Sequence, residues 1–506
     1  MADTTIETHE PAVEFAELQP LTLTIIAHPR LERLGQQCAL HGHGPFSISR
    51  AEPDFGDPGS ATRQSIDDPH VSRKPVEILV EYGGATISSQ SSKAKLDGVT
   101  LGSVPKTVLT DDLVRGVILT LSNYVAVLIR RVEPAKVLSE RGMVGPSPEL
   151  GFVRERIRRL ARGKQPVLIN GPTGTGKELA AQAIHAESPR ASGPLVSVNL
   201  AAIPPSTAAS QLFGHVRGAF TGAKANSSGL FGAAEGGTLF LDELGEAPTE
   251  LQPLLLRALE SGEVQIVGGG TRHVDVRVVA ATDANLDEAV EAGRLRSALY
   301  HRLAGSTIML SPLRQRREDV AAQLRHFVLE QLRELGREDK LQDGKWLRPK
   351  LQLALVTHTW PGNTRQLRRT VEAVILDSLE LAEARAPSSL RLDLGGARTS
   401  SAPSSPALET NPSSISRTGE RSEADELGQA LAAHGYRLKP TADALGIAVN
   451  TLKSMMKRHG YRRARELSAE DITTARAAVG DHIEALSAEL RVSVHALRLR
   501  IGELGL

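Results

Sequence analysis

The octapeptide Gly171-Pro172-Thr173-Gly174-Thr175-Gly176-Lys177-Glu178 constrains this chain more than any other stretch. It follows the apolar run PVLIN and precedes the helix-forming run ELAAQAIHA. A GxxxxGK turn between a strand and a helix points backbone amides inward, and the helix N-terminus adds positive potential, so the turn cradles phosphate. Lys177 then reaches the β- and γ-phosphates of a nucleoside triphosphate. The last position departs from the general motif, because Glu178 stands where a Ser or Thr usually ligates Mg²⁺. About sixty residues on, GGTLFL delivers Asp242 and Glu243 at the end of an apolar strand. The first can hold Mg²⁺ through water, and the second can polarise an attacking water as general base.

Around these motifs, PVLING, PLVSVNL, GTLFLDEL and VRVVAATD each read as a short buried strand followed by helical or loop text. That alternation implies a parallel sheet covered by helices. The α/β part is expected over 143–313, and a helical lid over 314–385. Upstream, LTLTII, VEILVEY and YVAVLIRRV are β-branched runs separated by Gly, Ser, Asp and Pro clusters, so 21–135 is expected to be an all-β sandwich. Residues 1–20 are polar and expected to be disordered. Residues 386–424 are rich in Ser, Pro and Ala and read as a flexible linker. Residues 425–506 are helical again.

Composition excludes several functions. Sixty Lys+Arg against 59 Asp+Glu leave +1, so no chain-wide surface for a polyanion exists and a nucleic-acid site needs local asymmetry. The lone Cys38 excludes a disulfide framework and a cysteine-rich zinc site, as suits a reducing cytosol. No apolar run reaches the ~18 residues of a membrane span, and MADTTIETHEPAVEFAE lacks the features of a secretory signal. A cytoplasmic location without membrane contact is expected.

In this setting the text resembles the sigma-54-dependent transcriptional activators, bacterial enhancer-binding proteins with an AAA+ ATPase domain. Five further motifs follow the phosphate loop in the family's order: FGHVRGAFTGA, GGTLFLDEL, VDVRVVAATD, GRLRSALYHRL and WPGNTRQL. The family itself carries Glu at position 178. The resemblance implies ATP and Mg²⁺ as cofactors and leaves Lys177, Asp242 and Glu243 in the roles argued above. It makes Asn199 the residue that switches the catalytic glutamate, and Thr282, with Asp283, the sensor I segment. Arg296 and Arg302 become fingers reaching the neighbouring subunit's nucleotide, which implies a ring, most simply a hexamer. Arg365 becomes the sensor II arginine. Gly218-Ala219-Phe220-Thr221-Gly222-Ala223 matches the GAFTGA loop that contacts sigma-54 RNA polymerase. Its composition, small residues with one aromatic and one hydroxyl, suits a mobile tip with Phe220 exposed. The chain departs from the family at Ala209 and Gln211, which replace acids, at Ala298, and at Asp283, where Asn or His is more usual.

The N-terminal region resembles a forkhead-associated (FHA) domain, a phosphothreonine-binding sandwich. Arg50, Ser72 and Arg73 fit its phosphate-contacting positions, and an arginine with a hydroxyl is sensible chemistry for a phosphate dianion. Pro75 stands where that family has a structural His, and Ala94 falls near the position of the peptide-orienting Asn. A sandwich that binds no phosphate stays open as the alternative.

Residues 441–461 read as helix, Gly-centred turn, helix, and resemble the Fis-type helix-turn-helix of the same activators. Its outward face carries Asn450, Thr451, Lys453, Ser454, Lys457 and Arg458, and residues 451–465 hold six bases and no acid. DNA is the expected partner. A shift of 45 residues lays 432–460 over 477–505 with matches at inward positions, so 425–463 and 464–506 are expected to be tandem copies. Two other classes compete with an activator. A repressor using its ATPase domain only to oligomerise has no need of the GAFTGA loop, and a remodelling ATPase unrelated to transcription has no need of a helix-turn-helix.

Overall fold

A computed structural model describes residues 19–387 apart from 92, 342, 343 and 345, five single positions between 431 and 456, and much of 467–501. The expected N-terminal tail, the linker and the 425–463 copy, with Asn450, Thr451, Lys453, Ser454, Lys457 and Arg458, thus lie wholly or largely outside the described residues. Two units, Met1–Thr399 and Ser400–Leu506, are described separately.

The first unit begins with a β-rich region of two sheets. Its strands are β1 (Leu21–Ala27), β2 (Gln37–Leu40), β3 (Gly44–Ile48), β4 (Val76–Glu81), β5 (Gly84–Ser89), β6 (Lys95–Leu96), β7 (Val99–Thr100), β8 (Lys106–Leu109), β9 (Val117–Thr120) and β10 (Ala126–Arg131). One sheet runs β2-β1-β10-β9-β6-β7, the other β3-β4-β5-β8. Strand β4 alternates buried and exposed residues, as a strand with one wet face must. By contrast, β1 and β10 are buried at every residue. Leu21, Leu23, Ile25, Val127 and Ile129 face the sandwich core. Ile26, Ala27, Ala126 and Leu128 belong to a second core, shared with Val320, Leu324, Val328 and Leu355 of the lid. The apolar runs in these strands therefore have a cause: each strand has two dry faces.

A short hairpin, β11 (Ser139–Glu140) and β12 (Met143–Val144), leads into the α/β part. Arg154 donates to the carbonyls of Val137, Leu138 and Met143, which fastens this connection to the first helix, Pro148–Ala161. Ser147 caps that helix and Pro148 occupies its first turn. The central sheet comprises β13 (Val167–Asn170), β14 (Leu195–Asn199), β15 (Thr238–Asp242), β18 (Arg277–Thr282) and β19 (Thr307–Met309), in the order β14-β15-β18-β13-β19. All its pairings are parallel, and apolar clusters cover both faces, so the α/β expectation is met. A hairpin, β16 (Glu263–Gln265) and β17 (Thr271–His273), stands apart from the sheet. The helical lid follows, built from Arg317–Glu334, Pro349–Thr357 and Asn363–Ser378.

One buried carboxylate joins lid and sheet. Asp319 accepts the Ser147 backbone N–H at 2.7 Å, the Ser147 hydroxyl at 2.7 Å and Arg316 Nη1 at 2.9 Å. Gly145 passes so close that a β-carbon there would lie 2.2 Å from Asp319 Oδ1. In the second unit, the helices Ala469–Val479 and Ile483–Glu489 pack Leu467, Ile472, Ala475, Leu486, Val492 and Leu497 into a small core. Ile483, Val492, Leu497 and Ile501, which the 45-residue repeat places inward, all take part.

Asp319→Ala would leave the buried Arg316 guanidinium without its counter-charge. It should cost about 3–5 kcal/mol, read as a lowered urea midpoint of the first unit. Leu376→Ala, on an exposed side chain, should stay within ~0.5 kcal/mol of the parent.

Candidate active site

The phosphate loop leaves the end of β13 and enters the helix Lys177–Ala186. Gly174 and Gly176 have φ of 80° and 104°, so the turn uses a conformation that L side chains resist. Lys177 is buried and donates to the Gly171 carbonyl at 3.0 Å, while its ammonium stands 4.0 Å from Glu243. The lysine is thus held across its own loop, with the second carboxylate of the acid pair beside it. Glu178 points outward and accepts from Gln182.

Asp242 and Glu243 follow from β15, the second strand of the sheet. Asp242 Oδ1 is buried and has no hydrogen-bond partner among the described residues. A buried carboxylate oxygen left unsatisfied is costly unless a cation or water meets it, so the donor set fits Mg²⁺. Glu243 adopts a left-handed backbone, φ 55° and ψ 51°, which turns its side chain away from the run of the strand. Burial pushes its carboxyl above the usual range, with Asp283 and Asp242 adding to the effect and Lys177 opposing it.

Asp283 has a larger part here than motif matching assigned. Its carboxylate accepts the Thr173 hydroxyl of the phosphate loop, and its charge adds to the upward push on the Glu243 carboxyl. The Thr173 bond holds the Asp283 carboxyl below its ordinary range. Asp283 thus links the loop tip to Glu243, through a hydrogen bond on one side and through charge on the other. Thr282 is fully buried, its hydroxyl accepts from Ala284 N–H, and its carbonyl accepts from Gly171 N–H. The sensor segment thereby registers the phosphate loop directly. The only sequence signal for Asp283 is its chemistry, an acid where the related pattern has a neutral or basic group.

Asn199 ends β14 in register with Asp242 on β15, so the topology brings these two together. Its side-chain oxygen caps the turn at Ala201. Arg296 and Arg302 are exposed at and within the helix Ser297–Ala304, and Arg302 donates twice to the Leu259 carbonyl. Arg365, on the lid helix Asn363–Ser378, lines a cavity of about 390 Å³ with Thr173, Gly362 and Arg369. Two lid residues not singled out from the sequence complete the closure. Asn363, at φ 51°, donates to the Thr173 carbonyl at 2.9 Å and accepts the Leu313 N–H at 2.8 Å. Arg369 follows Arg365 by one turn, a spacing that puts both on the same face.

The GAFTGA segment lies beyond the helix Pro205–Phe213. His215 bridges Ser227 on one side and Val267 on the other, which pins the neck of the loop to the β16–β17 hairpin. At the tip, Gly218 and Gly222 have φ of 83° and 105° and open space beside them. Gly218 N–H donates to the Ala223 carbonyl at 2.9 Å. Thr221 and Phe220 are exposed, Phe220 at 44%, with His215 against the ring edge.

A phosphate loop, a strand-borne acid pair, a sensor segment on the next strand and a lid closing on the loop define a AAA+ ATPase domain. Residues 143–309 match the sigma-54 interaction domain family, and 314–400 match an AAA+ ATPase lid domain. The DNA-binding transcriptional regulator NtrC of Salmonella typhimurium is 49% identical over 229 residues, 45% of this chain and 48% of that protein. The Nif-specific regulatory protein of Klebsiella pneumoniae is 44% identical over 253 residues, 49% of this chain and 47% of its own. The anaerobic nitric oxide reductase transcription regulator NorR of Salmonella paratyphi B is 40% identical over 338 residues, 65% and 64% of the two chains. The chain thus carries the AAA+ domain and lid of sigma-54 activators and is homologous to these regulators there. It spans about half the length of the first relatives it matches.

Lys177→Ala should abolish nucleotide binding, measured by displacement of a fluorescent ATP analogue. Glu243→Gln should keep binding and slow hydrolysis by roughly 10²–10⁴-fold, the worth of a positioned base. Parental turnover in Glu243→Gln would remove Glu243 from that role.

Proposed function

We propose that this chain is an ATP-driven activator of sigma-54 RNA polymerase, and that the loop Gly218–Ala223 transmits the work of hydrolysis. One observation carries the reading: an intact GAFTGA segment, its Phe220 and Thr221 exposed and its neck pinned to the hairpin, follows within one short helix of Asn199 at the acid pair. Lys177 holds the phosphates and Glu243 takes the proton of the attacking water; Asp242 would hold Mg²⁺, which would supply screening of the phosphate charge. Asn199 lies beside Asp242 at the start of the segment that leads through Pro205–Phe213 to the loop. A change at the γ-phosphate thus has a short covalent route to the tip. Arg296 and Arg302 are exposed, as fingers acting on a neighbouring subunit in a ring, taken here as a hexamer, must be. DNA binding belongs to 425–463, with 464–506 as a second helical copy. A repressor with the same ATPase core has no use for an exposed Phe-Thr tip, which disfavours that alternative.

The N-terminal region fits a phosphothreonine reader. Ile48, Val76 and Ser89 lie in register across β3, β4 and β5, so residues 49–50, 72–75 and 90–94 leave one end of that sheet together. Arg50 N–H donates to the Ser72 carbonyl, and Arg50 Nε is buried without a partner among the described residues. Arg73 and Lys74 are exposed beside them. Ala94 packs in the sandwich core, which leaves Ser91 and Lys93, among the described residues, as polar groups of its turn.

Thr221→Ala should leave ATPase activity and DNA binding near parental values while abolishing open-promoter formation with sigma-54 polymerase. Undiminished transcription in that variant would refute the coupling role of the loop. A phosphothreonine peptide should bind the full chain by calorimetry, its unphosphorylated form should not, and Arg50→Ala should remove the difference.

A further inference from the structure

We infer that Arg130, on strand β10 of the N-terminal region, is a positioning residue for the ATPase: it braces the lid against the α/β core in the closed arrangement, and nucleotide exchange requires that brace to give. The inference rests on nucleotide binding at the phosphate loop and is independent of phosphopeptide, DNA or polymerase.

The starting point is packing. The outer face of β1, β10 and β9 shares an apolar core with the lid, through Ile26, Ile118 and Leu128 on one side and Leu324 and Val328 on the other. Two polar clamps flank this core. Gln352 accepts the His28 N–H at 2.9 Å and donates to the His28 carbonyl at 3.0 Å. Arg325 meets Asp57 with two bonds, at 2.7 and 3.1 Å. Both clamps join sandwich to lid and nothing else.

Arg130 does something different. Its Nη1 donates to Glu318 Oε1 at 2.5 Å, on the lid helix Arg317–Glu334. Its Nη2 donates to Glu149 Oε1 at 2.9 Å, on the core helix Pro148–Ala161, and Nη1 also reaches Glu149 Oε2 at 3.4 Å. Its Nε donates at 3.1 Å to the Val114 carbonyl within the sandwich itself. A planar fork with one edge held by its own domain and the other shared between two more fixes all three in one geometry, which a lysine cannot do. Gly116 keeps the stem in place, since a β-carbon there would stand 2.9 Å from Arg130 Cγ. The side chains of Arg130 and Glu318 are 10% and 2% exposed, so solvent screens their contact weakly, whereas Glu149 is 30% exposed and screened more.

The contact lies at the root of the lid. Glu318 is adjacent to Asp319, the residue that ties the lid to Ser147. At the far end of the lid, Asn363 holds the Thr173 carbonyl, and a β-carbon on Gly174 would lie 2.4 Å from the Gly362 carbonyl oxygen. The lid is therefore closed on the phosphate loop, and a nucleotide leaves only when it rotates away. Fixing the root of the lid helix against the core opposes that rotation.

The variants need not unfold the protein. Glu149→Gln leaves Arg130 on Glu318, and Arg130→Lys keeps a cation there, while burial already pushes the Glu318 carboxyl up to about 7, so neither variant strands a bare charge. The test is release of mant-ADP from the full chain, chased with excess ADP in a stopped-flow instrument. Glu149→Gln takes the charge from the core arm alone, and Arg130→Lys removes the fork; each should speed release by about 3- to 10-fold or more, the effect of weakening a partly screened charged contact. Circular dichroism should show both variants folded. Asp57→Asn loosens a sandwich–lid clamp that never touches the core and should release mant-ADP at the parental rate. Parental release in both Glu149→Gln and Arg130→Lys would overturn the brace. So would equal acceleration by Asp57→Asn, because general loosening of the docked sandwich would then explain everything. Absence of any mant-ADP binding to the parent would overturn the nucleotide reading itself, an outcome distinct from binding with unchanged release.

Discussion

Two adjacent buried carboxylates at the root of the lid, Glu318 and Asp319, are the constraint on which the first unit depends. They leave one helical turn in different directions. Asp319 takes both hydrogen-bond donors of Ser147 and so sets where the helix Pro148–Ala161 begins relative to the lid. Glu318 takes Arg130 and so sets where the N-terminal sandwich sits. A buried carboxylate needs its hydrogen-bond donors in place, so this pair specifies a geometry more sharply than the surrounding apolar contacts can. The apolar core supplies most of the driving force, but Leu and Val surfaces slide at low cost where an ion pair does not.

The same economy governs the active site. The phosphate loop is shaped by glycine and registered by Thr282. Its side chains are then tied outward, Thr173 to Asp283 and through its carbonyl to Asn363. Three carboxylates, Asp242, Glu243 and Asp283, stand around one lysine. That excess of negative charge adds to burial in keeping Glu243 above its ordinary range, and it is what a divalent cation and the phosphates between them would redistribute. The loop thus reports on both the base and the lid.

Motifs whose meaning is local are legible in the amino-acid sequence. GPTGTGKE, the Asp242-Glu243 pair and GAFTGA each encode a backbone path through glycine, or a strand end through apolar neighbours, and the fold places them accordingly. The parallel sheet is legible for the same reason, since four short buried runs alternating with helical text admit few arrangements. Asn363 and Arg369 escape motif reasoning because the WPGNTRQL text points to Arg365, although the four-residue spacing of Arg365 and Arg369 already puts those two on one face of the lid helix. Ala94 falls near a ligand position by alignment of motifs, yet its small apolar side chain belongs to the sandwich core.

What the sequence by itself determined is the set of chemical groups and the local frames that carry them: phosphate cradle, acid pair, glycine-flanked tip, strand and helix periods. Even the apolar runs of β1 and β10 announce strands with dry faces on both sides. Which surface dries the second face was decided only by tertiary structure, as were the Arg130–Glu318, Asp319–Ser147 and Asn363–Thr173 contacts. Each of these joins residues more than 170 positions apart. Periodicity and motif spacing reach over one element or one loop, and a buried arginine carries no mark of the carboxylate it will find. The lid buries its apolar face against the sandwich, while buried polar and charged contacts, not a shared apolar core, tie it to the α/β part.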